Sequence, residues 1–302
     1  MTDIKKSGTQ SPQKVAYRVS FISIVGNVLL TVFKLFAGIF ANSGAMISDA
    51  VHSASDVLST IVVIIGVKIA SRASDRDHRY GHERMECVAA IILSVLLFIT
   101  SIAIGVGGVQ KIVSGNYSEL AVPGVLALAA SAVSIVSKEI MFQYTNAAAK
   151  RINSDALKAD AWHHRSDALS SVGSLIGIIA ARRGFPIADP IVSILICVII
   201  VKAAYGILKD AIDKMVDKSC CEETVEKMQN KALEVSGVIA VDDIRTRLFG
   251  SKVYVDMEIR CDGNMTLFRA HGIAERVSAS LCAGFPEIKQ CLVHVNPDGI
   301  EK

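Results

Sequence analysis

The sequence is poor in charged residues. Only 20% of its 302 residues are Asp, Glu, Lys or Arg, whereas 51% are hydrophobic, and a soluble protein of this length usually carries more charge. The formal net charge of +3 is too small to indicate nucleic acid as a partner. The long apolar stretches lie between about residues 16 and 210, and the rest of the chain after them has the composition of a soluble domain.

The sequence also lacks a CxxC pair and the early apolar segment of a signal peptide. Five of its seven cysteines lie in the C-terminal part of the chain, which the charge bias below places in the cytosol, so reduced thiols are expected. Residues 1–15 are polar and basic, which predicts a retained cytoplasmic tail.

Six segments are candidates for crossing a membrane, since a spanning helix needs about 20 mostly apolar residues. They are Val19–Ala41, Ala45–Ile69, Cys87–Val109, Leu120–Phe142, Leu157–Ala181 and Ile187–Leu208. The second and the fifth are polar in one half, so either they are soluble or the other four shield them and they line a polar path; the four apolar neighbours favour the path. Lys and Arg are concentrated in the tail and in the second and fourth connections, which predicts that both termini are cytoplasmic. Lys138, in the fourth segment, is expected to extend to the cytoplasmic interface.

After the last apolar segment the pattern predicts helix, strand, strand, helix and strand, a small α+β layer of ferredoxin-like type. The predicted elements are Glu222–Val235, Val238–Arg247, Val253–Arg260, Thr266–Leu281 and Ile288–Val295. We therefore expect an α-helical membrane bundle over residues 16–212 and a cytoplasmic domain over residues 213–302.

An internal repeat carries the chemistry. Residues 49–60 read DAVHSASDVLST and residues 160–171 read DAWHHRSDALSS, with seven of twelve positions identical. The copies lie three helices apart, so they run in opposite directions through the membrane, as in many transporters. Each HxxxD pair projects from one helix face. Together they offer two imidazoles and two carboxylates, a tetrahedral set that suits Zn²⁺ and has no soft sulfur for Cu(I); the residues are His52, Asp56, His163 and Asp167.

The alternative is that these side chains only join the helices by hydrogen bonds. A charge at the bilayer centre costs about 2.5 kcal/mol or more, so a duplicated charged pattern favours a metal site. Asp49 and Asp160 lie two turns from Asp56 and Asp167; they either relay the cation through an outer and an inner vestibule or solvate helix ends. Only neutral imidazole binds metal, and histidine has an unperturbed pKa near 6.5, so metal binding is expected to expel protons.

The two HxxxD pairs, the segment YGHERME at residues 80–86 and the terminal α+β domain resemble the cation diffusion facilitators over the chain from about Ala16. The resemblance implies a homodimer, paired through its membrane and cytoplasmic domains, that exports a divalent metal from the cytoplasm in exchange for protons. Members with His and Asp on both helices are mostly associated with zinc, and relatives take iron, manganese, cobalt or cadmium. An inner-membrane protein embedded in the lipid bilayer is expected, with no cofactor apart from Zn²⁺ as transported and regulatory ion.

The resemblance also implies two secondary metal sites. Asp75, His78 and His82 match a second, loop-borne site of the family, although the flanking arginines are equally typical of a lipid-facing loop. In the terminal domain, four residues match positions where relatives bind regulatory metal between paired soluble domains; they are Asp256, His271, His294 and Asp298. Asn296 stands where some relatives have aspartate, so we expect the simpler set of Asp256, His271 and His294, or else surface residues without metal.

Two other classes of function are consistent with parts of the chain. One is a membrane-anchored metal sensor without flux, but a sensor does not need matched ligands on two antiparallel helices. The other is a membrane metallohydrolase, but His82-Glu83 is followed by Glu86 where HExxH requires a second histidine. The sequence therefore predicts a transporter and not an enzyme.

Overall fold

The computed structural model describes residues 12–40, 44–115, 125–183, 185 and 187–299. The chain divides into two compact units, Met1–Ala211 and Ile212–Lys302.

The predicted six-helix bundle is confirmed. Its helices are α1 (Pro12–Phe40), α2 (Gly44–Ala70), α3 (Met85–Ser114), α4 (Val125–Ile152), α5 (Asp155–Arg182) and α6 (Ala188–Met215). Each has 27 to 30 residues, which at 1.5 Å per residue exceeds the hydrocarbon thickness of about 30 Å. The helix α1 begins within the predicted tail, whose first eleven residues lie outside the described ones, as does the predicted start of the fourth segment.

Among the described residues, three helices are both long and apolar enough to cross a membrane by themselves, namely α1, α3 and α6. The other three are α2 and α5, which carry the repeat, and α4. Large apolar side chains on the outside of the bundle are exposed, for example Phe21, Leu29 and Phe36 of α1. Polar side chains are buried inside, which is the arrangement expected of a bundle surrounded by lipid.

Small residues let the helices approach closely. A Cβ atom added to Gly66 of α2 would lie 2.4 Å from the Cβ of Ala89 in α3, so glycine is required at this crossing. The helix α2 packs against α1, α3 and α5, while α4 packs against α1 and α5. These contacts place the two repeat copies next to each other, with α4 beside them.

The second unit has the predicted element order, with α7 (Glu222–Leu233), β1 (Ala240–Phe249), β2 (Lys252–Asp262), α8 (Leu267–Gly284) and β3 (Ile288–Asp298). The strand order is β1-β2-β3; β1 and β2 are antiparallel, and β2 and β3 are parallel, with α8 as the crossover. Buried side chains of both helices and of β2 form the core, including Met228, Met257, Ile259, Val277 and Leu281. The ferredoxin-like α+β prediction is confirmed.

Candidate metal site

The two repeat copies bring three predicted ligands together inside the bundle. Asp56 of α2 and His163 and Asp167 of α5 place one ligand atom each within 4.8 Å of one another. His163 Nε2 lies 3.2 Å from Asp56 Oδ1. Asp56 is only 1% exposed, so this cluster combines carboxylate and imidazole groups in low-dielectric surroundings. His52 lies one turn before Asp56 in α2, but its side chain and that of Asp49 lie outside the described part of the chain.

Lys138, which was predicted to extend to the cytoplasmic interface, lies in the same cluster. Lys138 of α4 is 2% exposed, and its Nζ donates hydrogen bonds to Asp56 Oδ2, to Asp167 Oδ2 at 3.0 Å and to Asn27 Oδ1 at 3.0 Å. The prediction that Lys138 extends to the interface is wrong because α4 continues to Ile152. Those fourteen further residues add about 21 Å of helix, well beyond the reach of a lysine side chain.

Asp160 lies deep in the bundle rather than at a solvated helix end. Its side chain is fully buried, its Oδ1 accepts a hydrogen bond from the Thr60 hydroxyl at 3.2 Å, and its Oδ2 is 3.7 Å from Nε2 of His164. His164 is also fully buried, and neither of its ring nitrogens has a hydrogen-bond partner among the described residues. The repeat alone does not identify His164, since the equivalent position in the first copy is Ser53.

The loop between α2 and α3 brings together Asp75, His78 and His82, whose ligand atoms also lie within 4.8 Å of one another. Asp75 Oδ1 accepts the backbone N–H groups of His78 at 2.7 Å and of Asp77 at 3.0 Å. Both imidazoles approach the Asp75 carboxylate to 3.4 Å. The hydrogen bond from the backbone N–H of His78 lowers the pKa of Asp75 below its usual range, so this ligand stays ionised near neutral pH. The loop is therefore folded around the three groups.

The terminal-domain residues are not brought together within one chain. His271 and His294 both line a pocket of about 460 Å³, and neither Asp256 nor Asp298 lines it. Oδ2 of Asp256 instead lies 3.3 Å from Nη2 of Arg247, and Oδ1 of Asp298 lies 4.0 Å from Nη1 of Arg260. The expected site of Asp256, His271 and His294 stays a prediction that would require a second copy of the chain.

Two family models match the chain. The cation efflux transmembrane domain matches residues 20–216, and the cytoplasmic domain of cation efflux proteins matches residues 221–298. An uncharacterized transporter of Methanocaldococcus jannaschii is 36% identical over 91% of this chain and 96% of its own. The manganese efflux system protein MneP of Bacillus subtilis is 29% identical, over 94% and 97%, and the magnetosome protein MamB of a Magnetospira species is 32% identical, over 90% and 92%.

Proposed function

Because the chain belongs to the cation efflux family, the cation diffusion facilitators, and is thus a divalent metal efflux transporter of the membrane, we propose that it exchanges Zn²⁺ for protons at the buried cluster. The observation that carries this proposal is the convergence of Asp56, His163 and Asp167 from two helices of an inverted repeat. His52, one turn from Asp56, would complete a tetrahedral set.

The choice of zinc rests on the ligand types. Two imidazoles and two carboxylates suit Zn²⁺, whereas sites for Mn²⁺ use mainly oxygen ligands. A specific observation favours manganese as the second candidate, since MneP is a manganese efflux protein by name and shares 29% of its residues with this chain. Iron, cobalt and cadmium are further substrates to be tested.

The exchange of protons follows from the same ligands. Imidazole and carboxylate bind a metal only in their deprotonated forms, so the arrival of the cation releases protons and protonation releases the cation. An inverted repeat around a buried site is also the usual basis of alternating access. Asp160, which accepts a hydrogen bond from Thr60 and lies about one turn before His163 towards the start of α5, would then relay the ion between the cluster and one side of the membrane.

The remaining features of the proposal concern the assembled protein. We place it in the cytoplasmic membrane with both termini in the cytoplasm, because Lys and Arg are enriched in the tail and the even-numbered connections. The match to a cytoplasmic dimerisation domain supports a homodimer paired through its membrane and cytoplasmic domains. Asp75, His78 and His82 would hold a second ion in the cytoplasmic loop.

Flux in proteoliposomes tests the proposal. Purified protein is reconstituted and supplied with Zn²⁺, Fe²⁺, Mn²⁺, Co²⁺ or Cd²⁺, with and without a pH gradient. We expect zinc flux that a proton gradient drives and that Asp167→Ala abolishes. Flux that persists in this variant would refute the site, zinc flux indifferent to the gradient would refute the exchange, and metal binding without any flux would instead indicate a sensor.

A further inference from the structure

Lys138 occupies the place where a cation would bind. Its ammonium lies between the carboxylates of Asp56 and Asp167, the same two groups that converge with His163. We infer that Lys138 is a tethered competitor of the transported metal: it fills the site when the metal is absent and leaves the carboxylates when the metal binds. This inference rests on the proposed transport site.

The contacts of Lys138 make the ammonium a good substitute for a metal ion. It is 2% exposed, and its three N–H donors have acceptors on three other helices, Asn27 of α1, Asp56 of α2 and Asp167 of α5. No donor is left unsatisfied. The lysine thus joins three other helices at the site.

Charge balance shows why the ammonium and the metal exclude each other. A divalent cation held by Asp56 and Asp167 is already neutralised by them. If the ammonium stayed between the same carboxylates, a full positive charge would be buried without a partner, which is strongly unfavourable in low-dielectric surroundings. The flexible four-carbon stem of lysine allows the ammonium to leave the two carboxylates, and it must then reach a hydrated position, because Asn27 is itself fully buried and carries no charge.

A tethered competitor lowers the affinity of the site and helps to empty it. If the ammonium holds the carboxylates about 90% of the time or more, the apparent dissociation constant rises about tenfold or more above its intrinsic value. The same ammonium returns as the metal departs, so it assists release. A lysine that only held the ligands in position would have the opposite effect, and its loss would weaken binding.

The test compares Lys138→Met with Lys158→Met. Lys158 lies in the same domain and pairs with Asp210 at 2.9 Å, away from the cluster, so its variant controls for the loss of a lysine ion pair. Equilibrium binding of Zn²⁺ to the full-length protein in detergent and zinc flux at saturating metal are measured for both variants. Lys138→Gln replaces the methionine variant if that one is not monodisperse, and Lys138→Arg tests the role of the charge.

We expect Lys138→Met to lower the dissociation constant about tenfold or more and to slow flux, with Lys158→Met and Lys138→Arg binding no more tightly than the wild type. An unchanged or higher dissociation constant in Lys138→Met and Lys138→Gln would overturn the inference, as would equally tight binding by Lys138→Arg. The proposed function fails in a different way: Asp56→Asn would then bind zinc as well as the wild type does.

Discussion

Replacing Asp56 by Asn is expected to raise the dissociation constant for a divalent metal by about a thousandfold. Two unit charges 4 Å apart interact by about 4 kcal/mol at an effective dielectric constant of about 20, so Asp56 and a divalent ion interact by about 8 kcal/mol. In the metal-free protein, however, Asp56 already interacts with the ammonium of Lys138, at about 4 kcal/mol on the same scale. Only the difference between these two interaction energies, about 4 kcal/mol, is lost from the binding free energy. Each 1.4 kcal/mol of binding free energy changes the dissociation constant by a factor of about ten.

The assay is equilibrium metal binding to the purified protein in detergent, together with flux in proteoliposomes. Glu139→Gln is the matched control, since it makes the corresponding carboxylate-to-amide change at a half-exposed residue of α4 that accepts a hydrogen bond from Gln143, lies 4.0 Å from Arg165 and is not a member of the cluster. We expect the control to bind metal within about threefold of the wild type, as for a peripheral charge worth less than about 1 kcal/mol. An Asp56→Asn protein that binds within about tenfold of the wild type, about 1.4 kcal/mol, would refute the reasoning that the buried carboxylate is a direct ligand.

Three further predictions concern other parts of the chain. In the loop, Asp75→Asn keeps an oxygen for the two backbone N–H groups but loses the charge, so metal titrations should show binding there weakened about tenfold or more with the loop still folded. Gly108→Ala should cost about 1–3 kcal/mol of bundle stability, because the added Cβ would lie 2.9 Å from a backbone carbonyl oxygen of α6. The control is Gly107→Ala, whose added Cβ meets nothing within 4 Å. This control should raise the melting temperature in detergent. A maleimide at pH 8 should label Cys221 before Cys291. A hydrogen bond with a threonine hydroxyl lowers the pKa of the exposed Cys221 thiol, whereas burial raises the pKa of Cys291 to about 11. Faster labelling of Cys291 would contradict this prediction.

The parts of the fold that follow from local pattern were predictable. The predicted strand Ile288–Val295 lies within β3, which runs to Asp298, and the predicted third membrane segment lies inside α3. The ligand pairs were equally accessible, because His163 and Asp167 share a helix face through their spacing alone. Neither required knowledge of how the helices pack.

The lysine could not be placed from the sequence, because its environment depends on the depth and the rotation of α4 within the bundle. The apolar stretch ends near Phe142, so the sequence places Lys138 near an interface, whereas α4 extends ten residues further, to Ile152. The repeat gives no help, since it pairs α2 with α5 and contains no copy of α4. One signal was available: two buried carboxylates in an apolar bundle need a counter-charge, and Lys138 is a cation within an adjacent apolar helix.

The lysine also explains how the bundle tolerates the carboxylates of Asp56 and Asp167 when no metal is bound. Two uncompensated buried charges would cost several kcal/mol each, and a transporter must pass through a metal-free state in every cycle. With the ammonium in place, the cluster carries one net negative charge, which a single bound proton cancels; with a divalent ion in place of the ammonium, the two carboxylates are neutralised without a proton. Exchange of metal for ammonium and proton therefore keeps the charge at the two carboxylates close to zero in both states, once the displaced ammonium has reached a hydrated position.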